Sequence, residues 1–149
     1  MRIVLLASLV ALVPGCGADR APTVKPLLSE LQTQVFNLSC VFSSCHAEAA
    51  HKGDLVLTAG RARAALLNVL AANPEARRLD KKRVVPGEPD NSYLFQKVNR
   101  AGARFCTLAQ LEHGDPTCEG EQMPGSNDRL SQERIDALRQ WILGGALDN

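Results

Sequence analysis

The chain has 149 residues, which is enough for one domain of ordinary size. Its composition, 45% hydrophobic and 22% charged, is that of a globular protein and argues against disorder along the whole length. The net charge of +1 and the aromatic content of 4% exclude a strongly basic nucleic-acid binder and a protein that stacks bases on aromatic side chains. The five cysteines indicate an oxidising compartment, a metal site or a covalently attached cofactor.

The first fifteen residues, 1–15, have the proportions of a signal peptide. Arg2 gives a positive start, and residues 3–13 form an apolar run that only one serine interrupts. This run is too short to span a bilayer, which takes roughly 20 residues. It matches the apolar region of a secretory signal, so the mature protein is predicted to leave the cytoplasm.

The segment Val13-Pro14-Gly15-Cys16 resembles a bacterial lipobox. The resemblance implies cleavage before Cys16 and lipidation of that residue, and several acyl chains hold a protein more firmly on a membrane than one. Gly17, where an acidic residue would favour the inner membrane, implies the periplasmic face of the outer membrane. An ordinary signal peptide that happens to contain a cysteine is the alternative. Residues 16–25 are predicted to be a flexible tether, and the domain is predicted to span 26–149.

Four stretches of helical periodicity predict an all-α domain with long loops. Asn73-Pro74 should stop the second helix, Asp90 should cap the third and Ser131 should cap the fourth. Strand signals are limited to short extended pieces at 54–57 and 83–85. The predicted helices are Pro26–Asn37, Arg61–Ala72, Asn91–Asn99 and a last one from Ser131 to about Leu143.

The residues with the most distinctive chemistry lie at 40–46. Cys40 and Cys45 are separated by four residues, and His46 follows directly. Two cysteines followed by a histidine form the attachment motif of c-type haem, in which two residues usually separate the cysteines. The cysteines of that motif bind the vinyl groups as thioethers, and the histidine binds the iron. A four-residue loop can still bring both sulfurs to one face of a porphyrin, so this segment is predicted to attach haem.

Met123 is predicted to be the second axial ligand of that haem. It is the one methionine left after Met1 is lost with the signal, and Pro124 follows it. A thioether paired with an imidazole raises the potential of the iron and closes it to outside ligands. A lone methionine is usually a packing residue, and the upstream motif is what favours the ligand here.

Several further segments accompany these residues in a fixed order. They are Gly53-Asp54-Leu55-Val56-Leu57, Val85-Pro86-Gly87-Glu88-Pro89-Asp90-Asn91-Ser92-Tyr93-Leu94, Leu130-Ser131 with Ile135, and Trp141-Ile142-Leu143-Gly144-Gly145-Ala146. Together with Cys40, Cys45, His46 and Met123, they resemble the planctomycete-type cytochrome c domain and the similar lipoprotein domains of myxobacteria. The resemblance covers about 26–146.

The resemblance implies a cytochrome c-like fold with one haem c between His46 and Met123. The first and last helices would then pack together, with Leu31 and Val35 meeting Leu138 and Ile142. Trp141 would be buried nearby, and its N–H would need a partner.

Cys106 and Cys118 flank an insertion and are predicted to form a disulfide that closes it. Such a loop is worth roughly 2–3 kcal/mol by chain entropy. These two cysteines could instead pair with those of the 40–46 motif, because four cysteines allow three connectivities. A zinc site made by that motif and His51 is a further alternative, although the spacing matches no familiar zinc module.

The remaining charged and imidazole groups have simpler interpretations. His51 and His113 are predicted to be solvated surface residues. The basic run at 77–83 is predicted to be a solvated loop, and docking to an acidic partner or to a haem propionate is the alternative.

Three functions are compatible with these features. The favoured one is a membrane-anchored c-type cytochrome that carries one covalent haem for periplasmic electron transfer, not an enzyme, with a redox protein as partner and no nucleic acid. The alternative is a haem-free module in which Cys40 and Cys45 form a disulfide and which acts in binding or structure. A haem peroxidase needs an open iron position, and a Met123 ligand argues against it.

Overall fold

The computed structural model describes residues 24–100, 118–125 and 129–149. Over these residues the chain is helical and contains no β-strand, so the predicted all-α class is confirmed. The α-helices are Leu28–Leu31, Asn37–Ser39, Ala62–Leu66, Pro74–Arg78, Tyr93–Asn99 and Gln132–Leu143, with a π-helical turn at Gln32–Phe36 and 3-10 turns at Lys52–Asp54 and Pro89–Asn91. None of the helices in the described ranges is long and apolar enough to cross a bilayer.

The N-terminal helical segment, 28–39, runs on through the π-helical turn and ends immediately before Cys40. It therefore begins and ends two residues later than predicted. Buried Gln32 lies in the π-helical turn and donates hydrogen bonds to Asn37 Oδ1 at 2.7 Å and to the Leu57 carbonyl at 2.9 Å. These bonds tie the end of the helix to the chain that follows the 40–46 motif.

The C-terminal helix, Gln132–Leu143, agrees with the prediction. Ser131 occupies the N-cap position, although its side chain makes no capping hydrogen bond, and Gly144 occupies the C-cap. The helix buries Trp141, whose indole N–H donates to the Leu147 carbonyl at 2.9 Å and so has the partner it was predicted to need.

The first and last helical segments share one hydrophobic core. Leu31 and Val35 on the first segment and Leu138 and Ile142 on the last are all buried in the same cluster, as predicted. The cluster also holds apolar residues from the intervening chain, and Met123 packs against its edge.

The second predicted helix is too long. It ends at Leu66, because Leu67 is extended and bridges Val84, and the next N–H, that of Asn68, donates to the Val84 carbonyl at 2.8 Å. The predicted stop at Asn73-Pro74 is instead a helix start: the Asn73 side chain accepts the N–H of Ala76 at 2.9 Å.

The third predicted helix divides into a 3-10 turn and the α-helix Tyr93–Asn99. Asp90 lies inside the turn and Ser92 occupies the N-cap position, so the predicted cap is wrong. The Ser92 hydroxyl is buried and joins the turn to the preceding loop by accepting the N–H of Val85 at 2.9 Å and donating to the Glu88 carbonyl at 2.9 Å. The helix Tyr93–Asn99 supplies one wall of the cavity that His46 and Met123 also line.

Candidate functional site

A cavity brings Cys40, Cys45, His46 and Met123 together, although Met123 lies far along the chain from the other three. Its volume is about 260 Å³, near the lower end of the roughly 300–1,000 Å³ of typical small-molecule pockets. Most of its wall is apolar, with a few polar and charged groups. The apolar residues include Leu55, Leu57, Leu66, Leu94 and Val98, and the polar and charged ones include Lys52, Asn73, Arg83, Lys97 and Glu121.

A tight turn folds the 40–46 segment back on itself. The N–H of Cys45 donates to the Phe42 carbonyl at 2.9 Å, and the N–H of His46 donates to the Cys40 carbonyl at 3.2 Å. The four intervening residues therefore do not separate the two cysteines along an extended loop. The turn places both cysteines and the histidine on the wall of the same cavity.

His46 is half-buried in this wall, and its backbone is fixed by the N–H of Leu57, which donates to the His46 carbonyl at 2.9 Å. Burial lowers the pKa of the imidazole below its usual value of 6.5. Interactions with the backbone of Lys52 and Leu55 raise the pKa of the imidazole, but burial has the larger effect. The Nδ1 atom is itself buried and has no hydrogen-bond partner among the described residues. The ring is thus neutral at physiological pH, which is the form that binds metal ions.

Cys40 and Cys45 are both free thiols. Burial, and next the charge of Cys45, raise the pKa of Cys40 to about 12, so this thiol is protonated at neutral pH. Neither cysteine is joined to another in the structure, so none of the alternative disulfides that involve Cys40 or Cys45 is formed there. Cys118 is buried, and its predicted partner Cys106 lies outside the described residues, so that disulfide stays a prediction.

Met123 is half-buried and reaches the cavity from a segment with no regular secondary structure, 118–125. The helix Tyr93–Asn99 holds this segment. The Met123 N–H donates to the Lys97 carbonyl at 3.1 Å, the Lys97 ammonium donates to the Glu121 carbonyl, and the Tyr93 hydroxyl donates to the Glu119 carbonyl.

Arg83 was predicted to lie in a solvated basic loop, and this prediction is wrong because the side chain is 7% exposed. Burial lowers the pKa of its guanidinium, with the charge of Asp54 opposing. Its N–H groups donate to three carbonyls, those of Ala65 at 2.8 Å, Gly53 at 3.0 Å and Asp54 at 2.8 Å. Arg83 therefore joins the helix Ala62–Leu66 to the 3-10 turn Lys52–Asp54 at the cavity, whereas Arg77, Arg78 and Lys82 in the same run are exposed.

The structure does not support a zinc site. His51 is exposed and its Nδ1 lies 3.0 Å from the Glu48 carbonyl, away from the residues that line the cavity. Over the ranges that the structure describes, no three His, Cys, Asp or Glu side chains form a group that could hold a metal ion. His51 is thus the predicted surface residue, and His113 lies outside the described residues.

Lys97, Tyr93 and Arg83 are the site residues that sequence reasoning missed. Tyr93 and Lys97 are four residues apart and so share one helical face, and the ammonium lies 5.3 Å from the ring centroid. The spacing of Tyr93 and Lys97 could therefore have indicated from the sequence that the two side chains lie close together. Nothing in the basic run distinguishes Arg83 from its exposed neighbours, because the carbonyls that bind it come from a helix and a turn that are distant in the sequence.

The chain shows no match to protein-family models, to curated proteins or to solved structures. The function proposed below is therefore argued from the residues of this chain.

Proposed function

We propose that this chain is a membrane-anchored c-type cytochrome that carries one haem c and transfers electrons in the periplasm. The observation that carries the proposal is the convergence of two thiols, one imidazole and one thioether on a single apolar cavity. These are the side chains that a covalently attached haem with His and Met axial ligands requires.

The residues present fit this cofactor in three respects. The turn at 42–45 returns Cys45 to Cys40, which compensates for the widened spacing of the motif. His46 is neutral and has a buried nitrogen without a normal hydrogen bond, and buried polar groups in proteins ordinarily have a partner. Met123 packs against the core and lines the cavity that also contains His46.

Each of these residues has a definite role in the proposed mechanism. Haem c would supply an iron that takes up and releases one electron. Cys40 and Cys45 would hold it through thioethers, and His46 and Met123 would bind its iron. Two protein ligands of this kind would keep outside ligands from the metal, which suits an electron carrier and not a peroxidase. Leu55, Leu94 and Val98 give the cavity apolar walls, and apolar surroundings are a lever by which a protein sets a redox potential.

Two cations on the cavity wall complete the proposed site. Arg83 and Lys97 both line the cavity and are partly or fully buried. Their positive charge would stabilise carboxylates of a bound cofactor, since charge interactions are stronger away from water. Docking to a haem propionate was the alternative interpretation of the basic run at 77–83. Arg83 is the one residue of that run that lines the cavity, so the alternative now applies to Arg83 alone.

The proposal is tested by producing the chain with and without a cytochrome c assembly system and applying a pyridine haemochrome assay. We expect one covalent haem per chain only when the assembly system is present. The Cys40→Ser/Cys45→Ser double variant is the matched control and should retain no haem after acid–acetone extraction. A wild-type chain that loses all its haem in that extraction would contradict the proposal.

The membrane anchor is a separate part of the proposal, because Cys16 lies outside the described residues. Changing Cys16→Ser should move the protein from the membrane fraction to the soluble periplasmic fraction, since no acyl chain can then be attached. Cell fractionation with immunoblotting measures this. If the variant stays with the membranes, the anchor lies elsewhere.

A second candidate is a haem-free module with a Cys40–Cys45 disulfide. One observation favours it: Cys40 and Cys45 are both free thiols, and the turn between them places both on the wall of the same cavity. Oxidation would then join them without a cofactor, and the cavity would be free to bind another ligand. The intact mass of the mature wild-type chain distinguishes the two candidates.

A further inference from the structure

We infer that Lys97 and Tyr93 are positioning residues that hold the segment 119–123 against their helix and so keep the Met123 thioether at the cavity. The inference rests on the proposed function, because it concerns how firmly a thioether ligand is held on a metal.

Three hydrogen bonds connect one helix with alternate residues of the segment. The Tyr93 hydroxyl donates to the Glu119 carbonyl, and the Lys97 ammonium donates to the Glu121 carbonyl. The Met123 N–H donates back to the Lys97 carbonyl at 3.1 Å. The segment has no helix or strand of its own, so these bonds help to hold Met123 at the cavity, together with the ion pair between Glu119 and Lys81 and the packing of Met123 against the core.

The Lys97 side chain is itself fixed in place. Its ammonium lies 5.3 Å from the centroid of the Tyr93 ring, within the range of a cation–π interaction. Burial lowers its pKa to about 8, opposed by the charges of Glu121 and Glu119. A buried ammonium that lost its acceptors would cost free energy, so Lys97 and the segment stabilise each other.

Gly120 allows the segment to come this close. Its φ is +79°, and a Cβ at this position would lie 3.0 Å from the Lys97 ammonium nitrogen and 3.9 Å from the Tyr93 hydroxyl. Any larger residue is therefore strained in its backbone and crowds the two groups that hold the segment. The need for glycine at this position is a second observation, independent of the hydrogen bonds, that points to close contact between the helix and the segment.

The consequence for the metal site is an equilibrium between a held and a released segment. When the segment is released, Met123 would leave the cavity, and a bound iron would lose its thioether ligand. Removing the charged hydrogen bond of Lys97 should raise the released population by about tenfold, which corresponds to about 1.4 kcal/mol.

The first test uses the haem-loaded chain and compares Lys97→Leu with Lys97→Arg and Tyr93→Phe. We expect Lys97→Leu to keep its haem, bind cyanide about tenfold more tightly and show a lower potential. Lys97→Arg keeps a donor and a charge and should restore most of the wild-type behaviour, and Tyr93→Phe should give a smaller effect. Lys82→Leu is the matched control, because Lys82 is exposed and does not line the cavity.

The second test needs no haem. In the haem-free mature chain, hydrogen exchange of the Met123 amide should be about tenfold faster in Lys97→Leu than in the wild type and unchanged in Lys82→Leu. Haem-loaded Lys97→Leu with wild-type cyanide affinity and potential, or an unchanged Met123 exchange rate, would overturn the inference and leave the proposed function standing. A wild-type chain that takes no haem would overturn both.

Discussion

Replacing Met123 with alanine should leave the haem attached and open its sixth axial position. The thioethers of Cys40 and Cys45 and the imidazole of His46 do not depend on Met123, because the turn at 40–46 is held by its own hydrogen bonds. The reduction potential should fall by an amount on the order of 0.1 V, since the axial ligand is a principal determinant of that potential. Carbon monoxide and cyanide should bind readily to the variant and poorly to the wild type.

The control for this experiment is Leu55→Ala, which shortens another apolar side chain on the wall of the same cavity. It enlarges the cavity without removing a metal-binding atom, so its ligand binding should stay close to wild type. If Met123→Ala has an unchanged potential and still resists both ligands, Met123 only packs at the cavity and another group is the ligand. His51 is a poor replacement because it is exposed and bonded to Glu48, and His113→Ala would then test the other histidine.

Replacing Arg83 with leucine should destabilise the fold by about 3–5 kcal/mol. The guanidinium is buried and donates to three carbonyls, one in the helix Ala62–Leu66 and two in the turn Lys52–Asp54, and leucine would leave all three acceptors without these donors. Arg83→Lys should recover little of this loss, because one ammonium cannot span the positions that a planar guanidinium reaches. Urea unfolding followed by circular dichroism measures the change in the free energy of unfolding.

Lys82→Leu is the control for the arginine variants, because Lys82 is exposed and precedes Arg83 directly. A surface substitution of this kind usually changes stability by less than about 0.5 kcal/mol. If Arg83→Leu costs no more than Lys82→Leu, the guanidinium is solvated in solution and the basic run behaves as the sequence predicted.

The sequence predicts the ends of the fold better than its middle. The C-terminal helix is marked by local signals on both sides, Ser131 before it and Gly144 after it, and the structure agrees. The second helix is cut short by pairing between Leu67 and Val84, which are distant in sequence and carry no local stop signal. Asn73-Pro74 is ambiguous by its nature, since an asparagine before a proline ends one helix as readily as it caps the next.

The candidate site was likewise predictable from the sequence only in part. The residues predicted as haem ligands were marked by spacing and by rarity, and the structure places Cys40, Cys45, His46 and Met123 around one cavity. The groups that support them were not predictable from composition. Lys97 and Arg83 resemble ordinary solvated cations in the sequence, and they matter only because backbone carbonyls from other segments meet them in the folded chain.

The intact mass of the mature wild-type chain, produced with a cytochrome c assembly system and measured under denaturing conditions, tests the central claim most directly. The proposal predicts the mass of the lipidated polypeptide plus one haem, with the haem mapped to the peptide that contains Cys40 and Cys45. A chain without added haem, in which peptide mapping finds Cys40 joined to Cys45 by a disulfide, would contradict the claim and favour the haem-free module.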